Sequence, residues 1–271
     1  MALLIDTISQ NMALYEDLNE KVVLVTGGSG GLGREMVKAF HAQGCKIALN
    51  YNSSKDKAEE TARILGSRVE IFGADVADRQ HVRAMLRGIE DKWGPLDILV
   101  NNSGVSYPME FENLIEEKMD RMWRTNVLGP ANVSQEALPG MKRKGNGVII
   151  NIASHAGLGN PRPYGAFYAA TKSALIVLSK RMALELGKYK IRVNAIAPGV
   201  IRVDPKGMQN SEEEELRFEE ELGLRRILTI KGVPKHIADA ALFLASKSSE
   251  FMTGQVITVD GGRLDSLPRS V

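Results

Sequence analysis

Seven short apolar runs recur along the chain, and the stretches between them carry a helical rather than an extended period. The runs are KVVLVTG (21–27), CKIALN (45–50), RVEIFGAD (68–75), LDILVNN (96–102), GVIINIAS (147–154), IRVNAIAP (191–198) and QVITVDGG (255–262). Between them lie amphipathic segments such as REMVKAFHAQ and RQHVRAMLRGIEDKW. Strands that are apolar without alternation are buried on both faces, which calls for a parallel sheet covered by helices on each side. The expected fold class is therefore α/β, a doubly wound sheet of about seven parallel strands in a single domain. A 271-residue chain that is 44% hydrophobic can fill one large core of that kind.

No repeat, linker or composition break divides residues 21–262. Residues 1–20 precede this body and 263–271 follow it as a tail. In the leading stretch Leu4, Ile8, Met12 and Tyr15 recur at helical spacing, with Asp6, Glu16 and Asp17 and no basic leader. It reads as a helix packed on the body or on a neighbouring subunit, with no membrane role. No apolar run approaches the ~20 residues of a membrane span. One segment breaks the rhythm, RVDPKGMQNSEEEELRFEEELGLRRILTIKGVPK (202–235), with Pro205 and Gly207 followed by an acidic helix ending in Arg225 and Arg226. It is either a solvated surface helix or a lid over a substrate pocket. A net charge of +2 gives no field for nucleic acid. The single cysteine, Cys45, and the lack of Cys/His spacing argue for a reducing cytoplasm and no metal.

TGGSGGLG (26–33) follows the first strand and opens a helix, the place where a backbone approaches a pyrophosphate. It satisfies G-x-G-x-x-G through Gly28, Gly30 and Gly33, and T-G-x-x-x-G-x-G through Thr26, Gly27, Gly31 and Gly33. A Rossmann-type dinucleotide site is expected, with Gly27, Ser29, Gly30, Gly31, Leu32 and Gly33 around the phosphates. An acid at the end of the second strand would hold a ribose diol, but Tyr51 and Asn52 stand there. Asn52, Ser53, Ser54 and Lys55 suit a 2′-phosphate instead, although no arginine joins them. The expected cofactor is NADP(H) in preference to NAD(H).

YGAFYAATK (164–172) holds two tyrosines and a lysine. Pro161, Pro163 and Gly165 discourage helix before about residue 165, so Tyr164 belongs to a loop. From residue 166 the pattern is helical, which puts Tyr168 and Lys172 at i and i+4, roughly 6 Å apart along the axis. A nearby cation favours a phenolate, so Tyr168 is the candidate proton carrier. Ser154, read as ending the fifth strand, lies at the carboxyl edge of the sheet and suits a carbonyl oxygen that gains charge. NNSG (101–104) ends the fourth strand there, and RTNVLG puts Asn126 within a helix. His155 beside Ser154 lacks the G-x-S-x-G context of a serine hydrolase.

TGGSGGLG, GADV, NNSG, Asn126, Ser154, YAATK, IAPGVI and the terminal VDGG together resemble the short-chain dehydrogenase/reductase family over about residues 20 to 262. The resemblance implies that Tyr168 is the general acid in reduction, and that Lys172 lowers its pKa and holds the nicotinamide ribose. It implies that Ser154 orients the carbonyl and that Asn126 anchors a relay water. It puts Asp75 and Val76 at the adenine, Asn102 and Gly104 along the cofactor cleft, and Pro198, Gly199 and Ile201 at the nicotinamide. Tyr164 becomes a candidate substrate contact. Within the family the C-terminal text looks most like 3-oxoacyl-acyl-carrier-protein reductases, with glucose dehydrogenases close behind. The expected activity is NADP(H)-dependent reduction of a 3-oxoacyl thioester or related ketone. The alternatives are a sugar or secondary-alcohol dehydrogenase and, less in keeping with the intact catalytic set, a nucleotide-binding scaffold. A homotetramer is also implied. Three positions depart from the family: Ser103 replaces alanine, one extra residue separates Ser154 from Tyr168, and Val203 replaces a threonine.

Overall fold

The computed structural model describes residues 15–159, 163–203, 227–228 and 230–263. The expectations for residues 1–14, for the acidic helix and lid within 204–226, and for the tail from 264 lie outside these residues. So does the centre of GLGNPRPYG, at 160–162.

Seven parallel strands form one sheet in the order β3-β2-β1-β4-β5-β6-β7. They are β1 (Val22–Val25), β2 (Lys46–Tyr51), β3 (Val69–Gly73), β4 (Ile98–Asn101), β5 (Gly147–Ile152), β6 (Ile191–Pro198) and β7 (Val256–Val259). Six fall inside one of the apolar runs, and β2 extends one residue past its run, to Tyr51. The reason is visible in β1, whose Val23 and Val25 enter the core on one face while Val22 and Leu24 enter the core on the other. With both faces buried, a strand has no reason to alternate.

The helices are α1 (Gly31–Ala42), α2 (Lys55–Leu65), α3 (Arg79–Trp93), α4 (Glu116–Trp123), α5 (Gly129–Lys144), α6 (Ala166–Leu186) and α7 (Pro234–Ala245). α1 and α7 cover one face of the sheet through Met36, Val37, Phe40, Ile237 and Ala241, all fully buried. α3, α5 and α6 cover the other through residues such as Val82, Ile89, Val133, Met141 and Ala183. Local signals set the boundaries. The Asp78 carboxylate caps α3 by accepting the Gln80 and His81 N–H groups, and α5 stops at Gly145 with φ +68.

One expectation about these elements needs correction. β5 ends at Ile152, so Ser154 lies beyond it and caps a 3-10 turn, His155–Leu158. Asn126 sits within a helix as expected, in a π turn, Arg124–Leu128, that joins α4 to α5. The strand order reverses between β1 and β4, and such a switch point opens a crevice at the carboxyl edge.

Candidate active site

The glycine loop closes this crevice from the β1 side. Gly27 adopts φ +62, donates its N–H to Asn50 Oδ1 at 3.2 Å, and is followed by Gly28 donating to Asn50 O at 2.8 Å. From the β4 side, Thr26 Oγ1 accepts the N–H groups of Asn102 and Ser103 at 2.9 and 3.0 Å. The Asn102 amide donates back to Thr26 O at 2.9 Å. Gly33 allows the closest approach, because a Cβ there would stand 2.2 Å from Gly27 O and 2.6 Å from Asn102 Nδ2. Around Gly30, in contrast, a Cβ would meet nothing within 4 Å. Gly30 thus faces open space at the N-terminus of α1, where the dipole favours a pyrophosphate. Gly33→Ala must push the loop off Asn102, and we expect nucleotide affinity to fall about tenfold or more in a fluorescence titration.

The resulting cleft measures about 430 Å³ and is lined by Gly27, Ser29, Gly30, Leu32, Asn52, Ser53, Ser54, Asp75, Val76, Asn102 and Gly104, among others. Most of the residues expected around a dinucleotide thus share one cavity. Gly31 is exposed beside Val203 of the same lining, and Gly33 is buried against the Gly27 carbonyl. Tyr51 does not line it, since its ring lies against Gly73 on the neighbouring strand, with Tyr51 Oη 3.1 Å from where a Gly73 Cβ would be. Lys55 pairs with Glu59 of its own helix at 3.3 Å, an exposed contact too weak to hold it there.

Among the lining residues that escaped the sequence reading are Arg121 and Thr125, one turn apart on α4 and the π turn. Arg121 Nη1 meets Asp75 Oδ2 at 2.8 Å, while Asp75 Oδ1 accepts the Ala77 N–H at 2.9 Å. Burial alone would raise the Asp75 pKa, but these two hydrogen bonds and the nearby Arg121 and His81 charges together hold the carboxyl below its ordinary range. The only sequence signal was the i, i+4 spacing of Arg121 and Thr125.

The reactive end is built on α6. Tyr168 is half-buried in its first turn, and Lys172, one turn on, is 3% exposed. Lys172 Nζ lies 5.8 Å from the Tyr168 ring centre and donates to Ile152 O, at the end of β5, at 2.8 Å. Burial brings the Lys172 pKa down to about 8. Asn126 is fully buried and locked from three sides. Its Oδ1 accepts the Val105 N–H at 2.8 Å, and its Nδ2 donates to Val105 O at 2.9 Å and to Thr171 Oγ1 at 3.0 Å. Thr171 Oγ1 in turn donates to Tyr168 O at 2.7 Å. A Cβ on Gly104 would stand 3.3 Å from both Asn126 Oδ1 and Lys172 Nζ, so both polar atoms border one small gap. Ser154, half-buried, accepts the Ala156 N–H at 3.1 Å. Tyr164 is 55% exposed at φ +63, its carbonyl accepting from Met109 N–H at 2.9 Å. Pro198 ends β6 and Gly199 donates to Val259 O at 3.0 Å, next to Ile201 at the same edge.

Comparison with known proteins identifies the family. A family model described as enoyl-(acyl carrier protein) reductase matches residues 27–263. A 3-oxoacyl-(acyl-carrier-protein) reductase FabG of Staphylococcus aureus is 38% identical over 246 residues, 89% of this chain and 97% of the relative. The chain belongs to the short-chain dehydrogenase/reductase family. A 3alpha-hydroxysteroid dehydrogenase of Mediterraneibacter gnavus is 36% identical over 256 residues, 92% of this chain and 98% of the relative. A solved Serratia marcescens short-chain dehydrogenase/reductase, a double mutant, superposes with a TM-score of 0.83 at 34% identity and covers 92% of this chain and 99% of that one. As a short-chain dehydrogenase/reductase, the protein is an NAD(P)-dependent oxidoreductase acting on CH–OH groups. Its cleft fits the nucleotide, with a glycine-lined helix N-terminus at one end and hydroxyl and amide groups at the other. Among the described residues, no group of three or more His, Cys, Asp or Glu is placed to hold a metal ion, and no helix is long and apolar enough to cross a membrane.

Proposed function

We propose that the protein is an NADP(H)-dependent reductase that converts a ketone, a 3-oxoacyl thioester or a related carbonyl, into a secondary alcohol, with Tyr168 as proton donor. The observation that carries this reading is the buried Lys172 one helical turn from Tyr168, held at the β5 end by its bond to Ile152 O. Bound nicotinamide supplies the hydride. The protein's own task is to hold the carbonyl and deliver one proton to its oxygen. Ser154 Oγ donates to that oxygen as charge develops on it. Tyr168 Oη gives up its proton, and the adjacent ammonium of Lys172 favours the phenolate left behind. Asn126 Oδ1 and Lys172 Nζ border the gap at Gly104 where a water can return that proton. Asp75 and Val76 flank the adenine, and Asn52, Ser53 and Ser54 bind the 2′-phosphate. No carboxylate at the end of β2 repels it. With one charge-assisted contact set favouring it, we expect kcat/KM with NADPH to exceed that with NADH roughly tenfold.

The name of the Staphylococcus aureus relative supports a 3-oxoacyl thioester. The name of the Mediterraneibacter gnavus relative favours the second reading in one form, a dehydrogenase of a secondary alcohol on a 3α-hydroxysteroid. Initial rates on acetoacetyl thioester, glucose and a 3α-hydroxysteroid, each with both nucleotides, separate the two. No activity on the thioester sinks the first. Assembly as a homotetramer is proposed from the exposed Trp123 and Leu128 beside Asn126 and from Val177 and Leu184, two turns apart on α6. Mass measurement in solution tests it. A cytoplasmic location is proposed with Cys45 as support, its buried thiol pushed up to about 12 by burial and donating to Leu18 O, so it takes no part in disulfides.

A further inference from the structure

His155 takes no part in the site built above, yet it is 1% exposed and sits beside Ser154. It opens the 3-10 turn His155–Leu158 that Ser154 caps. On one side this turn is pressed onto α6. Ser173 Oγ donates to Gly157 O at 2.7 Å, and a Cβ on Gly157 would stand 2.7 Å from the Lys172 carbonyl carbon. On the other side His155 Nε2 stands 3.7 Å from Asp260 Oδ2, with the Asp260 side chain 9% exposed.

Asp260 is a corner of the opposite wall. Its Oδ1 accepts the Gly262 N–H at 2.9 Å. Gly199 packs so tightly on it that a Cβ there would lie 2.6 Å from Asp260 Cβ. Just beyond, Gly261 O and Gly262 O accept the N–H groups of Leu228 and Ile227 at 2.9 Å each. Ile227 and Leu228 are therefore tied to the same corner. A buried imidazole facing a buried carboxylate carries a desolvation cost that a hydrophobic pair of the same volume would avoid. What the polar pair provides, at 3.7 Å and longer than a hydrogen bond, is an electrostatic contact between two walls that are otherwise separate in sequence.

We propose that His155 and Asp260 form a positioning pair, which fixes the Ser154 turn against the Asp260–Gly262 corner so that the carbonyl-orienting hydroxyl and the nicotinamide-side wall keep one geometry. The inference rests on the role assigned to Ser154 above. It does not depend on which carbonyl is the substrate, because the ratio between variant and wild type is read on whichever ketone or alcohol the wild type turns over.

The test is a double-mutant cycle on the full chain. Because misplacing a reacting group by a fraction of an ångström is costly, His155→Ala and Asp260→Asn are each expected to lower kcat about tenfold. Nucleotide Kd, read by fluorescence, should stay within about twofold in both, and the double variant should be no slower than the slower single. A purely structural role would lower the unfolding midpoint and leave kcat per folded molecule unchanged, and that result overturns the proposal. Losses that multiply in the double variant overturn it as well. If His155→Ala does not fold, His155→Gln and the isosteric Asp260→Asn carry the same cycle, and the same two results overturn the proposal. Ser154→Ala is measured alongside. Retained turnover there refutes the reading of Ser154, and the pair with it. Loss in Ser154→Ala with unchanged kcat in the pair variants refutes the pair alone.

Discussion

Replacing Tyr168 by phenylalanine is expected to lower turnover by about 10²–10⁴, the range a positioned acid or base contributes, and to leave nucleotide affinity within about twofold. The substitution removes one oxygen from a half-buried ring. It leaves in place the bond from Thr171 Oγ1 to the carbonyl of residue 168. Folding should be unaffected, so a loss of rate reports chemistry. Stopped-flow oxidation of NADPH measures the rate and quenching of protein fluorescence measures binding. Turnover above about a tenth of wild type would refute the assignment, since it would mean that another group or solvent supplies the proton. Tyr164→Phe is the internal comparison. Its phenol stands exposed at the end of the loop before α6, and its removal should change KM for the carbonyl more than kcat.

The fold was legible because burial on both faces erases alternation. Val22–Val25 and the first three residues of β4, Ile98 to Val100, read as continuous apolar runs for that reason, and the helical spacing between the runs left a doubly wound sheet as the consistent solution. The two tyrosines were separable because proline and glycine act locally, and α6 does begin at Ala166. What stayed hidden depends on contacts distant in sequence. Arg121 finds Asp75 across 46 positions, and nothing in MDRMWRTNVLG announces it. The π turn at Asn126 follows from an amide locked to the Val105 backbone, a tertiary constraint with no local propensity. Tyr51 departs from expectation for a simpler reason. It ends β2 as expected, but its side chain packs against Gly73 on the sheet face, and the cleft takes the residues that follow, Asn52 to Ser54.

The second large effect concerns Lys172, where function and stability oppose each other. Its ammonium is buried, and burial lowers its pKa from 10.5 to about 8. The sign follows from proton counting. Below pH 8 both folded and unfolded chains carry the proton, and the folded state bears the full cost of burying a charge. Between pH 8 and 10.5 the folded state releases the proton first, so this cost fades and stability rises with pH. Above 10.5 both states are neutral and the cost is gone. At about 1.36 kcal/mol per pK unit the net cost reaches about 3 kcal/mol. Lys172→Met keeps the length of the side chain without the charge. We expect it to be about 1–3 kcal/mol more stable than wild type at pH 7 and to lose most of that advantage by pH 10. Turnover should fall by about 10² or more, because the phenol of Tyr168 loses its cation. Urea titrations of both proteins at pH 7 and pH 10 read the first effect, and the difference between them cancels every other titrating group. A variant less stable than wild type at pH 7 would show that Lys172 is held for the fold. A variant that is more stable and inactive would show that the fold tolerates a buried cation because Tyr168 requires one.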